Sequence, residues 1–153
     1  MPKYAKPCNE KTSMNNQQQL EQNKAVVTRF NKAFIEQGDM QAFHEIVDPS
    51  FINRTAAPGI SPGPDGLVEV IVNVYRKAFS DLRIEIYEQV AEGDLVVTRK
   101  SFFATHSGSF MGVEATGRPL RIDTIDIVRL RDGKYVEHWA ARDMLGVLQQ
   151  LKG

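Results

Sequence analysis

From Leu82 onward the chain alternates apolar and polar residues at every second position, and short turn signals are all that interrupts it. Leu82, Ile84, Ile86 and Val90 alternate with Arg83, Glu85, Tyr87 and Gln89, the pattern of a half-buried strand. Glu92-Gly93-Asp94 turns the chain into a second strand, Leu95 to about His106. A glycine-bearing loop then leads to a third, Leu120 to Leu130. Arg131-Asp132-Gly133 reads as a hairpin turn, with Tyr135 to Ala141 as the fourth strand. Consecutive strands joined by short turns form an antiparallel meander.

The preceding half has a different period. Val26, Val27, Phe30, Ala33 and Phe34 line one face of a helix that begins near Gln18. Gly38 stops it, and Asp39 is placed to cap a second helix, Met40 to Val47, which Pro49 ends. Phe51-Ile52-Asn53 reads as a short strand. The Pro- and Gly-rich stretch from Ala56 to Gly66 reads as a surface loop. Leu67, Ile71, Val74, Tyr75 and Ala78 form another helical stripe. Helices first and a meander afterwards predict an α+β fold, helices packed on one face of a curved antiparallel sheet, enclosing a ligand-sized pocket. Residues 1–15 read as a disordered leader and 16–153 as a single domain.

Composition narrows the function. Nineteen Lys and Arg balance nineteen Asp and Glu, so the basic excess usual in a nucleic-acid or anionic-membrane binder is missing. One cysteine, Cys8, allows no intramolecular disulfide and no multi-cysteine metal site. Three dispersed histidines lack metal-ligand spacing, and no metal is expected. No stretch reaches the roughly 18 apolar residues of a membrane span. The expected setting is cytoplasmic, with neither nucleic-acid nor membrane partners.

Asp126 is the most informative residue. Its face of the third strand reads Leu120, Ile122, Thr124, Asp126, Val128, Leu130, with a single charge. A buried carboxylate is paired, protonated or facing a pocket. With a raised pKa it would suit proton abstraction. A three-residue turn at Arg131-Asp132-Gly133 would set Asp126 opposite His138. A two-residue turn would set it opposite Trp139 and bring Glu137 onto the same face, so the former is expected. Asp126 and His138 are therefore the expected catalytic pair. Expected around the substrate are Asn53 at the lip of the proline loop, Arg99, His106 at a strand end, Trp139, and Asp143, which could equally cap a closing helical turn.

From Asn23 to Leu151 the sequence resembles the SnoaL-like polyketide cyclases of the nuclear-transport-factor-like superfamily. The resemblance rests on Asn31 to Asp39 (NKAFIEQGD), Phe79 to Arg83 (FSDLR), Thr105 to Gly108, Met111 to Gly117 (MGVEATG), Ile125 to Gly133 (IDIVRLRDG), Glu137-His138-Trp139, Asp143 and Gln150-Leu151. It implies a cone-shaped α+β barrel with a deep pocket, a homodimer, and acid/base chemistry without a cofactor. It also places the cyclases' acid/base aspartate at Ala140, their assisting histidine at Asp126, a pocket asparagine at Asn53, and two further pocket histidines at His106 and His138. The expected function is a cofactor-free enzyme performing ring closure, isomerisation or dehydration on a small apolar carbonyl compound. The competing expectation is a non-catalytic module that binds a small hydrophobic ligand or serves dimerisation.

Overall fold

A computed structural model describes residues 10–153. The expected leader lies outside them as far as residue 9. Its last residues, 10–15, belong to the first helix, α1 (Glu10–Arg29), which starts earlier than Gln18. Four more helices follow: α2 (Met40–Ile46), α3 (Pro64–Val68), α4 (Arg76–Ala78) and α5 (Met144–Lys152). The strands are β1 (Val47–Asn53), β2 (Phe79–Glu92), β3 (Leu95–His106), β4 (Pro119–Arg131) and β5 (Lys134–Arg142). They form one five-stranded sheet in the order β1-β5-β4-β3-β2, with β1 parallel to β5 and the other pairs antiparallel. The result is the α+β architecture read from the sequence, helices gathered against one face of a curved sheet. Among the described residues, no helix is long and apolar enough to cross a membrane.

Two helical stretches widen into π-helix, Phe30–Glu36 at the end of α1 and Glu69–Tyr75 between α3 and α4. A π-turn pairs residues five apart rather than four. Phe30, Asn31, Phe34 and Ile35 are all buried there, continuing the three- and four-residue stripe that begins at Val27. Phe30 stacks on Tyr135 with ring centroids 4.4 Å apart, and Phe34 on Phe43 at 4.7 Å. These contacts dock the first helix across the mid-sheet. Asp39 caps α2 through the Ala42 amide at 3.0 Å, as the sequence implies. Helix α2 ends at Ile46, three residues before Pro49. That proline is tolerated inside β1 because β1 is an edge strand.

The β4–β5 hairpin corrects the expected register. Its turn is the two-residue one: Arg131 pairs with Lys134, and Asp132 and Gly133 both have positive φ, 51° and 72°. That is the twist two-residue hairpins favour. A bulge between Arg129 and Leu130 then shifts the pairing by one, so that Arg129 meets Glu137. Asp126 lies opposite Ala140, and His138 opposite Val128. The bulge lets Tyr135 and Val136 both turn inward. It also restores the parity that keeps Glu137 off the core face. His138, Ala140 and Arg142 thus share the face of Asp126 and Thr124, through a turn and a bulge rather than through a longer loop.

The loop after β1 folds down over the sheet edge. Gly66 is required there, since a Cβ would sit 1.8 Å from the Ser61 carbonyl oxygen. This close approach brings Ala57 and Ile60 over the mouth of the interior.

Candidate active site

The inner face of β3 carries Val96, Thr98, Lys100 and Phe102, all buried. Lys100 is 3% exposed, and no apolar core holds an ammonium there without partners. It has two. Its Nζ forms an ion pair with Asp126 Oδ2 and donates to Asn31 Oδ1 at 2.5 Å. Asn31 is in turn fixed by donating to the Val27 carbonyl at 2.8 Å, one helical turn earlier.

The other carboxylate oxygen of Asp126 meets His138 Nε2 at 3.1 Å. On the far side of the ring, His138 Nδ1 lies 3.2 Å from Asn53 Oδ1. The Asn53 atom is fixed as oxygen, because the Thr55 amide N–H donates to it at 3.1 Å. His138 Nδ1 must therefore carry a hydrogen to bond it. A ring with a hydrogen on each nitrogen would bond Asp126 and Asn53 together. Asn53 Oδ1 also accepts from Thr55 Oγ1 at 3.1 Å, so three donors compete for two lone pairs. The His138 bond is the longest of the three. It is the one most readily surrendered to a ligand oxygen.

Burial by itself would raise the Asp126 carboxyl, but the Lys100 charge and the His138 hydrogen bond outweigh it and hold the group well below the ordinary carboxylate range. This reverses the raised pKa expected from the sequence. The physical reason is Lys100, which the sequence reading left out. Burial also pulls Lys100 below the usual lysine value, against the attraction of Asp126. It pushes the Tyr135 phenol up, leaving a neutral hydroxyl group in the inner cavity. Asp126 is an ionised anchor for the imidazole rather than a waiting base.

Two connected spaces adjoin this chain of bonds. An inner cavity of about 30 Å³ touches Lys100, Asp126, Tyr135 and His138, with room for a water molecule or two. An outer cavity of about 480 Å³ is bounded by Asn53, Thr55, His138, Ala140 and Arg142 on its polar side. Its apolar side is built from Ile60, Val70, Ile71, Val74, Phe110 and Met144. That size suits a small organic substrate. His138 lines both spaces, and nothing else in the bonded chain does so.

A family model described as SnoaL-like polyketide cyclase matches residues 25–151, five-sixths of the chain. The chain belongs to the SnoaL-like polyketide cyclase family. It is 27% identical over 89 residues to aklanonic acid methyl ester cyclase DnrD of Streptomyces peucetius, covering 58% of this chain and 61% of that protein. It is 26% identical over 108 residues to nogalonic acid methyl ester cyclase of Streptomyces nogalater, covering 70% of this chain and 81% of that one. The chain therefore spans less than two thirds of the DnrD sequence. Among solved structures, IdmH of Streptomyces antibioticus, a proposed polyketide cyclase, superposes with a TM-score of 0.77 at 32% identity, over 86% of this chain and 99% of that one.

Within this family frame the other expected site residues fall in different places. Asn53 reaches the cavity and holds His138. Arg99 lies on the outer face of the sheet, bonded to Glu88 and resting over the Tyr87 ring at 4.6 Å. The strand's inward phase belongs to Lys100. Trp139 also points outward, beside Leu95, Ile127 and Arg129. Asp143 caps α5 through the Gly146 amide at 2.8 Å. His106 is fully buried rather than on a rim. Its Nδ1 accepts from the Thr116 amide at 3.2 Å and it borders neither cavity.

The residues the sequence reading missed are Lys100, Asn31, Tyr135 and Arg142. Lys100 had a usable signal, because Val96, Thr98 and Phe102 continue its alternation. Among the described residues, no group of three or more His, Cys, Asp or Glu is placed to hold a metal ion.

Proposed function

We propose that this protein is a cofactor-free acid/base enzyme of the cyclase type, acting on a small, largely apolar carbonyl compound. The observation that carries the proposal is His138, held at Nε2 by the ionised Asp126 and presenting Nδ1–H at the boundary of a substrate-sized cavity. A carbonyl oxygen replacing Asn53 at that hydrogen would be polarised. The acidic C–H gives its proton to solvent; as the resulting enolate carbon bonds to the carbonyl carbon, the carbonyl π-electrons move onto the oxygen, which takes the Nδ1 proton, and solvent returns that proton to the ring. General acid assistance of this kind supplies about 10²–10⁴-fold, which suits an already acidic carbon nucleophile. The resemblance places the family's acid/base aspartate at Ala140, so this chain acts mainly as an acid. Ring closure, isomerisation and dehydration all fit this requirement.

The test uses nogalonic acid methyl ester and aklanonic acid methyl ester, followed by chromatography for ring closure and by proton NMR in D₂O for exchange of the acidic C–H. The wild-type protein should accelerate closure or exchange, and His138→Phe should lose at least ~10²-fold of that acceleration. No acceleration over buffer on either ester or on the corresponding free acids would favour the binding-module reading. That second reading has its own support, since Asp126, Lys100 and Asn53 are already bonded within the protein.

A homodimer belongs to the same proposal. Val90, Val97, Ile127 and Trp139 form one cross-strand row on the outer face of the sheet, with Val90 65% exposed. Sedimentation velocity of wild type against Ile127→Lys tests it, and a monomeric wild type would refute it.

A further inference from the structure

Arg142 closes the inner face of β5 and borders both cavities. Six other arginines, Arg29, Arg54, Arg83, Arg99, Arg121 and Arg129, each have a carboxylate partner, while Arg76, Arg118 and Arg131, which line neither cavity, have none among the described residues. Among the described residues Arg142 is in no ion pair, and its Nε is buried without any hydrogen-bond partner. The adjacent acid, Asp143, is committed to the α5 cap. Directly across the hairpin pair, Thr124 is 3% exposed and its Oγ1 is likewise buried without a partner, although Thr124 borders neither cavity. Two orphaned polar groups on paired residues are uncommon, because each forfeits the hydrogen bonds it had in water.

Charge points the same way. Lys100, His138 and Arg142 border the cavities, and Asp126 is the single carboxylate among their lining residues. Lys100 already neutralises Asp126, and Arg142 is close enough to Lys100 to repel its ammonium. An excess of positive charge therefore sits at the polar end of an otherwise apolar space.

We propose that Arg142 is the seat for a carboxylate group on the substrate, so that the ligand is an organic acid with an apolar body. The inference rests on the proposed carbonyl-compound reading and narrows its substrate class to carboxylic acids. The carboxylate occupies the Arg142 end, while the reacting carbonyl faces His138.

The test is equilibrium binding to the full chain by titration calorimetry at neutral pH, with 2-naphthoate and its neutral isostere 2-naphthamide. The wild type should prefer the acid by about tenfold or more, since a charge-assisted bond to a guanidinium is lost in the amide. Arg142→Met should bring the two affinities within about twofold by weakening the acid alone. Asp126→Asn should retain the preference for the acid even if turnover is lost, which separates this inference from the catalytic one. Equal affinities in the wild type, no measurable binding of the acid, or a preference that survives Arg142→Met would each overturn it.

Discussion

Replacing Lys100 by methionine removes the ammonium while keeping most of the side-chain volume, so the change in stability reports the polar network rather than a cavity. Two acceptors lose their donor: Asp126 Oδ2, on a residue 4% exposed, and Asn31 Oδ1, on a residue 1% exposed. A neutral acceptor left unpaired in the core costs about 1–3 kcal/mol. Stripping one partner from a buried ion pair costs about 3–5 kcal/mol. Part of the second cost is offset here, because His138 still donates to Oδ1. The expected loss is therefore about 3–5 kcal/mol in all, the two costs overlapping at one nitrogen. For a chain of this size, that lowers the melting temperature by roughly 6–20 °C. The assay is guanidinium and thermal unfolding of wild type, Lys100→Met, Asp126→Asn and the double variant. The double variant should be more stable than the sum of the single losses implies, by about 1–3 kcal/mol, because neither single variant retains a neutral pair. A loss below about 1 kcal/mol for Lys100→Met, or strict additivity, would refute the reasoning.

Three further outcomes are expected. Asp126 is held below its unfolded value near 3.9, so its contribution to stability is complete above that pH and is lost as the pH falls below it; wild-type melting temperature should hold to about pH 4 and then decline, whereas in Lys100→Met, where Asp126 loses the charge that holds it down, the decline below pH 4 should be smaller. An equally large decline in the two proteins would contradict the assigned cause. Gly66→Ala meets the Ser61 carbonyl at 1.8 Å and should displace the proline loop, costing about 1–3 kcal/mol and raising KM more than it lowers kcat, as measured by unfolding and steady-state kinetics. Asn53→Leu leaves His138 Nδ1 without its resting acceptor and Thr55 without its turn partner; it should cost about 1–2 kcal/mol by denaturant unfolding and lower kcat by at least ~10-fold in the closure assay.

Much of this architecture could be read in the residues, and the failures have physical causes. Strand β3 was bounded at Leu95 and His106 by its turns, which announce themselves through glycine and aspartate. Its phase was harder. Both of its faces are rich in apolar residues, so Leu95, Val97 and Arg99 looked as inward as Val96, Thr98 and Lys100. Only pairing with β4, Thr98 to Asp126 and Lys100 to Thr124, decides between them. The bulge at Tyr135-Val136 has no local sequence mark, because it is stabilised by Tyr135 packing on Phe30, a contact remote in sequence. Asn31 stood four residues after Val27 on the same helical face, and it was passed over because it is polar. The juxtaposition of Asp126 and His138 was reached through the wrong turn, and the preference for keeping Glu137 off the inner face was sound. Arg142 was invisible as a site residue, since an arginine at a strand end usually finds a carboxylate.

The central claim is that His138 presents a hydrogen on Nδ1 to the cavity while Asp126 anchors Nε2. A long-range ¹H–¹⁵N correlation spectrum of the imidazole rings, with His138 assigned by comparison with His138→Phe, reads this directly. The account expects a protonated Nδ1 in wild type and a changed His138 pattern in Asp126→Asn. A ring with its hydrogen on Nε2 alone and a bare Nδ1 would leave no donor facing the substrate, and would contradict it.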